Sequence, residues 1–269
     1  MKSKVILVLV DGLAWQIAHD GMGFLQGLCE AGRASLYRLE SELPSISRPL
    51  YECILTGVRP VDSGIVHNSV VRLSKETSIF HLATAGGAKT AAAAYHWVSE
   101  LYNCAPYDAV RDRFTDNNLL PIQHGVFYHS DSYPDDHLLV DAEILRRRHD
   151  PDFLFVHPMN TDDAGHKHGL DSAQYRNSAR RVDGYLSAVA PQWIDQGYQI
   201  LVTSDHGMNR DHSHGGILPE ERQVPLYVIG SRFSHDLKAA PKQVELCGTI
   251  AELLGVAHAK IWNKELLTA

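Results

Sequence analysis

A chain of 269 residues with 44% hydrophobic and 21% charged side chains is long and apolar enough to bury a large core. Its net charge of −7 and pI near 6.1 exclude a generic nucleic-acid binder, which needs a basic surface, but leave room for a small phosphate-bearing substrate in a locally cationic cleft. Four scattered cysteines with no CxxC pair read as reduced thiols, and no signal peptide or transmembrane-length apolar run is evident, so the expectation is a cytoplasmic protein with no membrane partner.

The first apolar run, VILVLV (5–10), is continuous and β-rich, as in a strand buried on both faces. Residues 13–31 read as a helix weakened by glycines, and 35–43 as a strand. Residues 48–56 and 77–85 read as helices, 89–97 as a strand between helices, and 135–150 as an amphipathic helix. A strand follows at 152–158, a long helix at 171–196, strands at 198–205 and 224–230, and a helix at 245–256 that Gly255 ends. Alternating strands and helices predict an α/β fold: a mostly parallel central sheet with helices on both faces, in one domain over 1–269. The weakly patterned stretch 98–133 reads as an excursion over the active site.

Ligands of such sheets bind beyond the carboxyl ends of the strands. There the first strand ends in Asp11-Gly12, the strand 152–158 runs into Asp162 and His166, and the strand 198–205 ends in Asp205-His206-Gly207. Singly, each has an ordinary explanation as a turn or cap. Together, at one sheet edge, they supply oxygen and nitrogen donors of the kind that zinc or manganese takes. Asp162 and His166 are four apart, so one turn of chain can aim both at one ion. His214 lies in HSHGG, where glycines permit close backbone approach, and is preferred over His212 as a ligand. Asp11, Asp162, His166, Asp205, His206 and His214 make six ligands, enough for two divalent ions. Two such ions clamp the attacking and leaving oxygens of a displacement at phosphorus. The nucleophile is then Ser47 in LPSISRPLYECILTG, at a helix start where the dipole and backbone N–H groups favour anions.

These residues resemble the alkaline phosphatase superfamily and, within it, the nucleotide pyrophosphatase/phosphodiesterase branch. The likeness rests on Ser47-Arg48-Pro49, Asp162-x-x-Gly165-His166, Ser204-Asp205-His206-Gly207-Met208 and His214-Gly215, and runs nearly the whole chain. It implies a hydrolase of phosphate esters acting through a covalent phosphoserine on Ser47. Asp162, His166 and His214 would hold one zinc; Asp11, Asp205 and His206 would hold the other. Asn68, closing GIVHN, would donate to a phosphoryl oxygen. A phosphonoacetate-type hydrolase and a phosphomonoesterase share this metal set, and a metal-binding protein without turnover is the rival outside enzymes. A sulfatase is rejected because Tyr51 stands where those relatives carry arginine, and a Rossmann dinucleotide binder because no GxGxxG follows the first strand. Where relatives of this branch often have an aromatic residue after the nucleophile, this chain has Arg48. It reads as a ligand for a second anionic group on the substrate, or else as a residue that points to solvent or pairs with a nearby acid such as Glu52.

Overall fold

The computed structural model describes residues 2–268. Its strands are β1 (Val5–Leu9), β2 (Ala34–Glu40), β3 (Thr90–Tyr95), β4 (Phe114–Asp116), β5 (His124–Tyr128), β6 (Phe153–Val156), β7 (Gln199–Thr203) and β8 (Gln223–Ile229). They form one eight-stranded sheet in the order β2-β8-β7-β1-β6-β3-β5-β4. The central five, β7 through β5, run parallel. Towards one edge β8 joins antiparallel to β7 and β2 antiparallel to β8, while at the other edge β4 lies antiparallel to β5.

The period of two along each strand divides the core. Val5, Leu7 and Leu9 face one hydrophobic layer, with the helices Ser47–Thr56, Ile79–Ala85 and Leu246–Leu254. Ile6, Val8 and Val10 face the other, with the helices Gly23–Glu30, Asp135–His149 and Ala173–Asp195. In β3 the small side chains of Ala92 and Ala94 face the first layer and those of Ala91 and Ala93 the second. Both faces of the central strands are therefore dry, which explains their uninterrupted apolar sequences.

Several expected boundaries move. The helix expected at 13–31 is two, Trp15–Gly21 and Gly23–Glu30, separated at Met22, whose φ/ψ of −92°/78° is not helical. The strand expected at 35–43 stops at Glu40, freeing the chain to turn towards Ser47. Tyr95 ends β3, and His96 opens a helix to Tyr102. The stretch 98–133, expected to be an excursion, supplies β4 and β5, and β5 lies beside β3 with Tyr128 opposite Tyr95. Its sheet character comes from that distant partner rather than from a local pattern. Gly255 does end the helix Leu246–Leu254, in the left-handed conformation at φ 65°.

Candidate active site

The parallel register sets the floor of the site. Leu9 of β1 lies opposite Thr203 of β7, and Val8 opposite Val156 of β6, so the segments leaving these strands emerge at one level. Asp11 follows β1, His157 follows β6, and Asp205 and His206 follow β7. The chain after His157 forms the helix Asn160–His168, which places Asp162 and His166 one turn apart on the same face. Gly12 is forced by the crossing: its φ is +67°, and a Cβ there would lie 2.8 Å from the Cα, Cβ and Oδ1 of Asp162. Gly165 and Met208, one from each of the two acid/histidine motifs, meet so closely that a Cβ on Gly165 would lie 2.5 Å from the Met208 Cε.

Three histidines are oriented by their Nδ1 atoms. Nδ1 of His206 lies 2.9 Å from the Gly207 carbonyl, that of His214 2.8 Å from the Ser45 carbonyl, and that of His166 2.9 Å from the His212 carbonyl. A carbonyl only accepts, so Nδ1–H donates in each ring and the neutral ring keeps its lone pair on Nε2. These Nε2 atoms converge. That of His166 lies 3.3 Å from that of His214, 3.5 Å from Asp162 Oδ1, while His214 Nε2 is 3.8 Å from the same oxygen. His206 Nε2 lies 3.2 Å from Asp205 Oδ2, 3.5 Å from Asp11 Oδ1 and 3.0 Å from Ser47 Oγ. Of the two candidates, His214 turns its Nε2 into the cluster, while His212 lends its backbone carbonyl to His166.

The carboxylates are left open on the same side. Asp11 Oδ1, Asp162 Oδ1 and Asp205 Oδ2 are buried without a hydrogen-bond partner. Burial pushes the Asp11 carboxyl up to about 7, despite the opposing Tyr51 hydrogen bond. Burial and then the neighbouring acids push Asp162 and Asp205 well above the usual range. Burial lowers His206 far below its usual value and His214 to about 4, so both rings are neutral donors at neutral pH. Facing lone pairs and orphaned carboxylate oxygens are unfavourable next to one another unless a cation lies among them. In this cluster the donor atoms of Asp162/His166/His214 lie within 4.8 Å of one another, as do those of Asp11/Asp162/His206, with Asp205 against His206 beside the second group. Mixed oxygen and nitrogen donors of this kind fit divalent cations.

Two residues that orient Asp11 were not identified from sequence. Asp11 Oδ2 accepts from the Tyr51 hydroxyl and from His157 Nε2 at 3.0 Å, which leaves Oδ1 as the open oxygen. Tyr51 sits one helical turn after Ser47, and His157 directly follows β6, so a buried polar residue beside a predicted ligand was the available signal.

Ser47 is 5% exposed and begins the helix Ser47–Thr56, after the extended Ile46. The expected set of backbone anion donors is reduced. The Arg48 N–H is already donated to Asn68 Oδ1 at 3.0 Å, and Pro49 has no N–H. That bond fixes the Asn68 amide, because only its oxygen can accept, and leaves its NH2 as the donor beside the nucleophile helix. Arg48 differs from both expectations. It faces neither solvent nor Glu52: it is 1% exposed, its Nη2 donates to Glu100 Oε2 at 2.7 Å, and its Nη1 donates to the Val70 carbonyl at 3.2 Å. Its charge is therefore neutralised within the protein, which removes the basis for reading a second substrate anion. Glu52 is instead bonded to Ser74 and Tyr102.

The parallel α/β sheet and a carboxylate/histidine cluster facing a helix-start serine define the scaffold of the metal-dependent phosphate-ester enzymes. The chain belongs to the type I phosphodiesterase/nucleotide pyrophosphatase family, whose model matches residues 5–218, within the alkaline phosphatase superfamily. Among solved structures it is similar to murine ectonucleotide pyrophosphatase/phosphodiesterase 5, with TM-score 0.76 at 14% identity over 99% of this chain and 100% of that one. A 2-O GAG sulfatase superposes with TM-score 0.69 at 14% identity, over 96% of this chain and 72% of that one. At such identities the likeness is one of fold. Among curated proteins, human GPI ethanolamine phosphate transferase 2, catalytic subunit, is 24% identical over 96% of this chain, and the corresponding human transferase 3 subunit is 24% identical over 94%. The chain spans 27% and 24% of those two proteins. No helix among the described residues is long and apolar enough to cross a membrane.

Proposed function

We propose that this protein is a two-metal phosphodiesterase in which Ser47 is the nucleophile and a covalent phosphoserine is the intermediate. The observation that carries this is Ser47 Oγ at 3.0 Å from His206 Nε2, on the rim of a buried cluster of unpaired carboxylate oxygens and imidazole lone pairs. Asp162, His166 and His214 would hold one cation, and Asp11, Asp205 and His206 the other, with zinc or manganese as the ions. Bound cations there would supply Lewis-acid charge that lowers the pKa of the serine hydroxyl and neutralises phosphoryl oxygens. Ser47 Oγ loses its proton to solvent and forms the bond to phosphorus as the P–O bond to the ester oxygen breaks. That oxygen leaves as the alcohol on taking up a proton, while the Asn68 NH2 donates to a phosphoryl oxygen. Water then cleaves the phosphoserine.

Pairing of Arg48 with Glu100 favours diesters over monoesters or carboxylated phosphonates, since no guanidinium charge is left for a second anion. The partner is a small phosphate ester rather than a nucleic-acid polymer or a membrane. Four cysteines, all unpaired, accord with a cytoplasmic location. The likeness to ethanolamine phosphate transferases supports a second reading, in which an acceptor hydroxyl replaces water in the second half-reaction. The test supplies an aryl phosphodiester, an aryl monoester, phosphonoacetate and a dinucleotide pyrophosphate, with and without an added alcohol. Diester cleavage to monoester in water supports hydrolysis, and a new diester to the alcohol supports transfer. Preference for the monoester or for phosphonoacetate would overturn the diester assignment.

A further inference from the structure

Arg48 and Glu100 form a buried ion pair immediately after the nucleophile, exposed by 1% and 7% at their side chains. Burying a guanidinium is costly unless it is paired, and here Glu100, Val70 and Trp97 hold it while its Nε has no hydrogen-bond partner. Glu100 accepts from Nη2, and the face of Trp97 lies 4.6 Å from the guanidinium carbon. Trp97 and Glu100 are three apart on the helix His96–Tyr102 and so share the face that seats the cation. Glu100 is fixed in turn, its other oxygen accepting the Tyr107 N–H at 2.9 Å.

The remaining hydrogen bonds that Arg48 makes outside its helix go to one segment. Its backbone N–H donates to Asn68 Oδ1 at 3.0 Å, and its Nη1 donates to the Val70 carbonyl at 3.2 Å. Residues 67–70 form neither helix nor strand, and among the described residues their internal backbone bond is Val70 N–H to the His67 carbonyl at 3.1 Å. An irregular segment with exposed neighbours needs an outside anchor to present a side chain in one place. We propose that Arg48 is a positioning residue: held by Glu100 and Trp97, it ties residues 68–70 to the start of the nucleophile helix and so keeps the Asn68 NH2 at the phosphoryl oxygen beside Ser47. This rests on the functional reading above. The ion pair acts through Asn68 rather than on the substrate.

The test compares Arg48→Met, Glu100→Gln, Asn68→Ala and the Arg48→Met/Asn68→Ala double variant in the metal-loaded protein. Turnover on an aryl phosphodiester is read beside amide hydrogen exchange over residues 66–72. Loss of one donor to the developing charge lowers kcat by about a hundredfold, so Asn68→Ala sets the ceiling. Arg48→Met is expected to lower kcat by roughly tenfold or more with KM nearly unchanged. It should also speed exchange in 66–72 and add little to the loss in the double variant. Glu100→Gln, which keeps shape and removes only charge, should show the same pattern more weakly, and it decides the matter if Arg48→Met does not fold. Losses that multiply in the double variant, or exchange unchanged at 66–72, would overturn the proposal. A parent protein that turns over no phosphate ester would remove the functional reading instead, and the exchange comparison would then decide alone whether Arg48 holds the segment.

Discussion

His166 Nε2 and His214 Nε2 face one another at 3.3 Å, while the Nδ1 atom of each ring donates to a backbone carbonyl. Neutral rings in this arrangement oppose two lone pairs, with Asp162 Oδ1 unpartnered beside them. Purified without chelator, the protein should therefore carry close to two divalent ions per chain in this cluster, one at Asp162/His166/His214 and one at Asp11/Asp205/His206. His214→Ala should reduce the content towards one ion. Elemental analysis checks both, and a metal-free protein with full activity would end the account of the cluster.

Metal dependence should change with pH in a defined direction. The folded Asp11 carboxyl, raised from 3.8 to about 7, contributes stability in chelated protein that is present below about 3.8 and lost as pH rises through 7. His214, lowered from 6.5 to about 4, contributes the reverse: its stability is present above 6.5 and lost as pH falls towards 4. The two oppose each other between these limits, and above about 6.5 the carboxylate effect remains. Urea midpoints of chelated protein should accordingly fall from pH 6.5 to 7.5. Metal-loaded protein should not follow, because a cation stabilises the ionised acids. Parallel curves for the two forms would refute this electrostatic picture.

Tyr51 and His157 hold Asp11 through one oxygen and leave the other open. Tyr51→Phe removes a hydroxyl and little volume. It should weaken metal affinity by roughly tenfold, the lower end of the usual effect of losing a hydrogen bond to a ligand. Competition against a chromophoric chelator measures this, and unchanged affinity would make Tyr51 a packing residue only.

Gly12→Ala joins two penalties, a left-handed φ of +67° and a Cβ 2.8 Å from Asp162 Oδ1. The left-handed conformation alone costs on the order of 1–3 kcal/mol, and relief by moving Asp162 would disturb both donor groups. The variant should melt lower than the parent and bind less metal, as calorimetry and metal analysis would show. A variant matching the parent in both would mean that the Asp162 crossing is looser than its geometry.

Legibility of this chain from sequence followed the range of the interactions involved. Continuous apolar runs point to β1, β6 and β7, and the acids and histidines after the strand ends and in HSHGG point to the six proposed ligands, because both signals are local. The strand His124–Tyr128 was missed, since only pairing with β3 makes it a strand. Arg48 was misplaced for a related reason. Helical spacing offered Glu52 four residues on, but the partner that captured the charge, Glu100, lies 52 residues away on another helix. Tyr51 and His157 escaped notice because they act on Asp11 rather than on the site itself. The residue types proposed to hold cations are visible in the chain, whereas the residues that orient them are set by tertiary contacts.

The central claim is that Ser47 Oγ becomes bonded to phosphorus during turnover. Rapid acid quench of the metal-loaded protein with an aryl phosphodiester, followed by peptide mass spectrometry, tests it most directly. The account predicts the mass of a phosphoryl ester on the peptide carrying Ser47, absent in Ser47→Ala, whose turnover should fall by several orders of magnitude while metal content stays unchanged. An unmodified Ser47 peptide at every quench time, together with a Ser47→Ala variant that keeps most of its activity, would show that water attacks phosphorus directly and would contradict it.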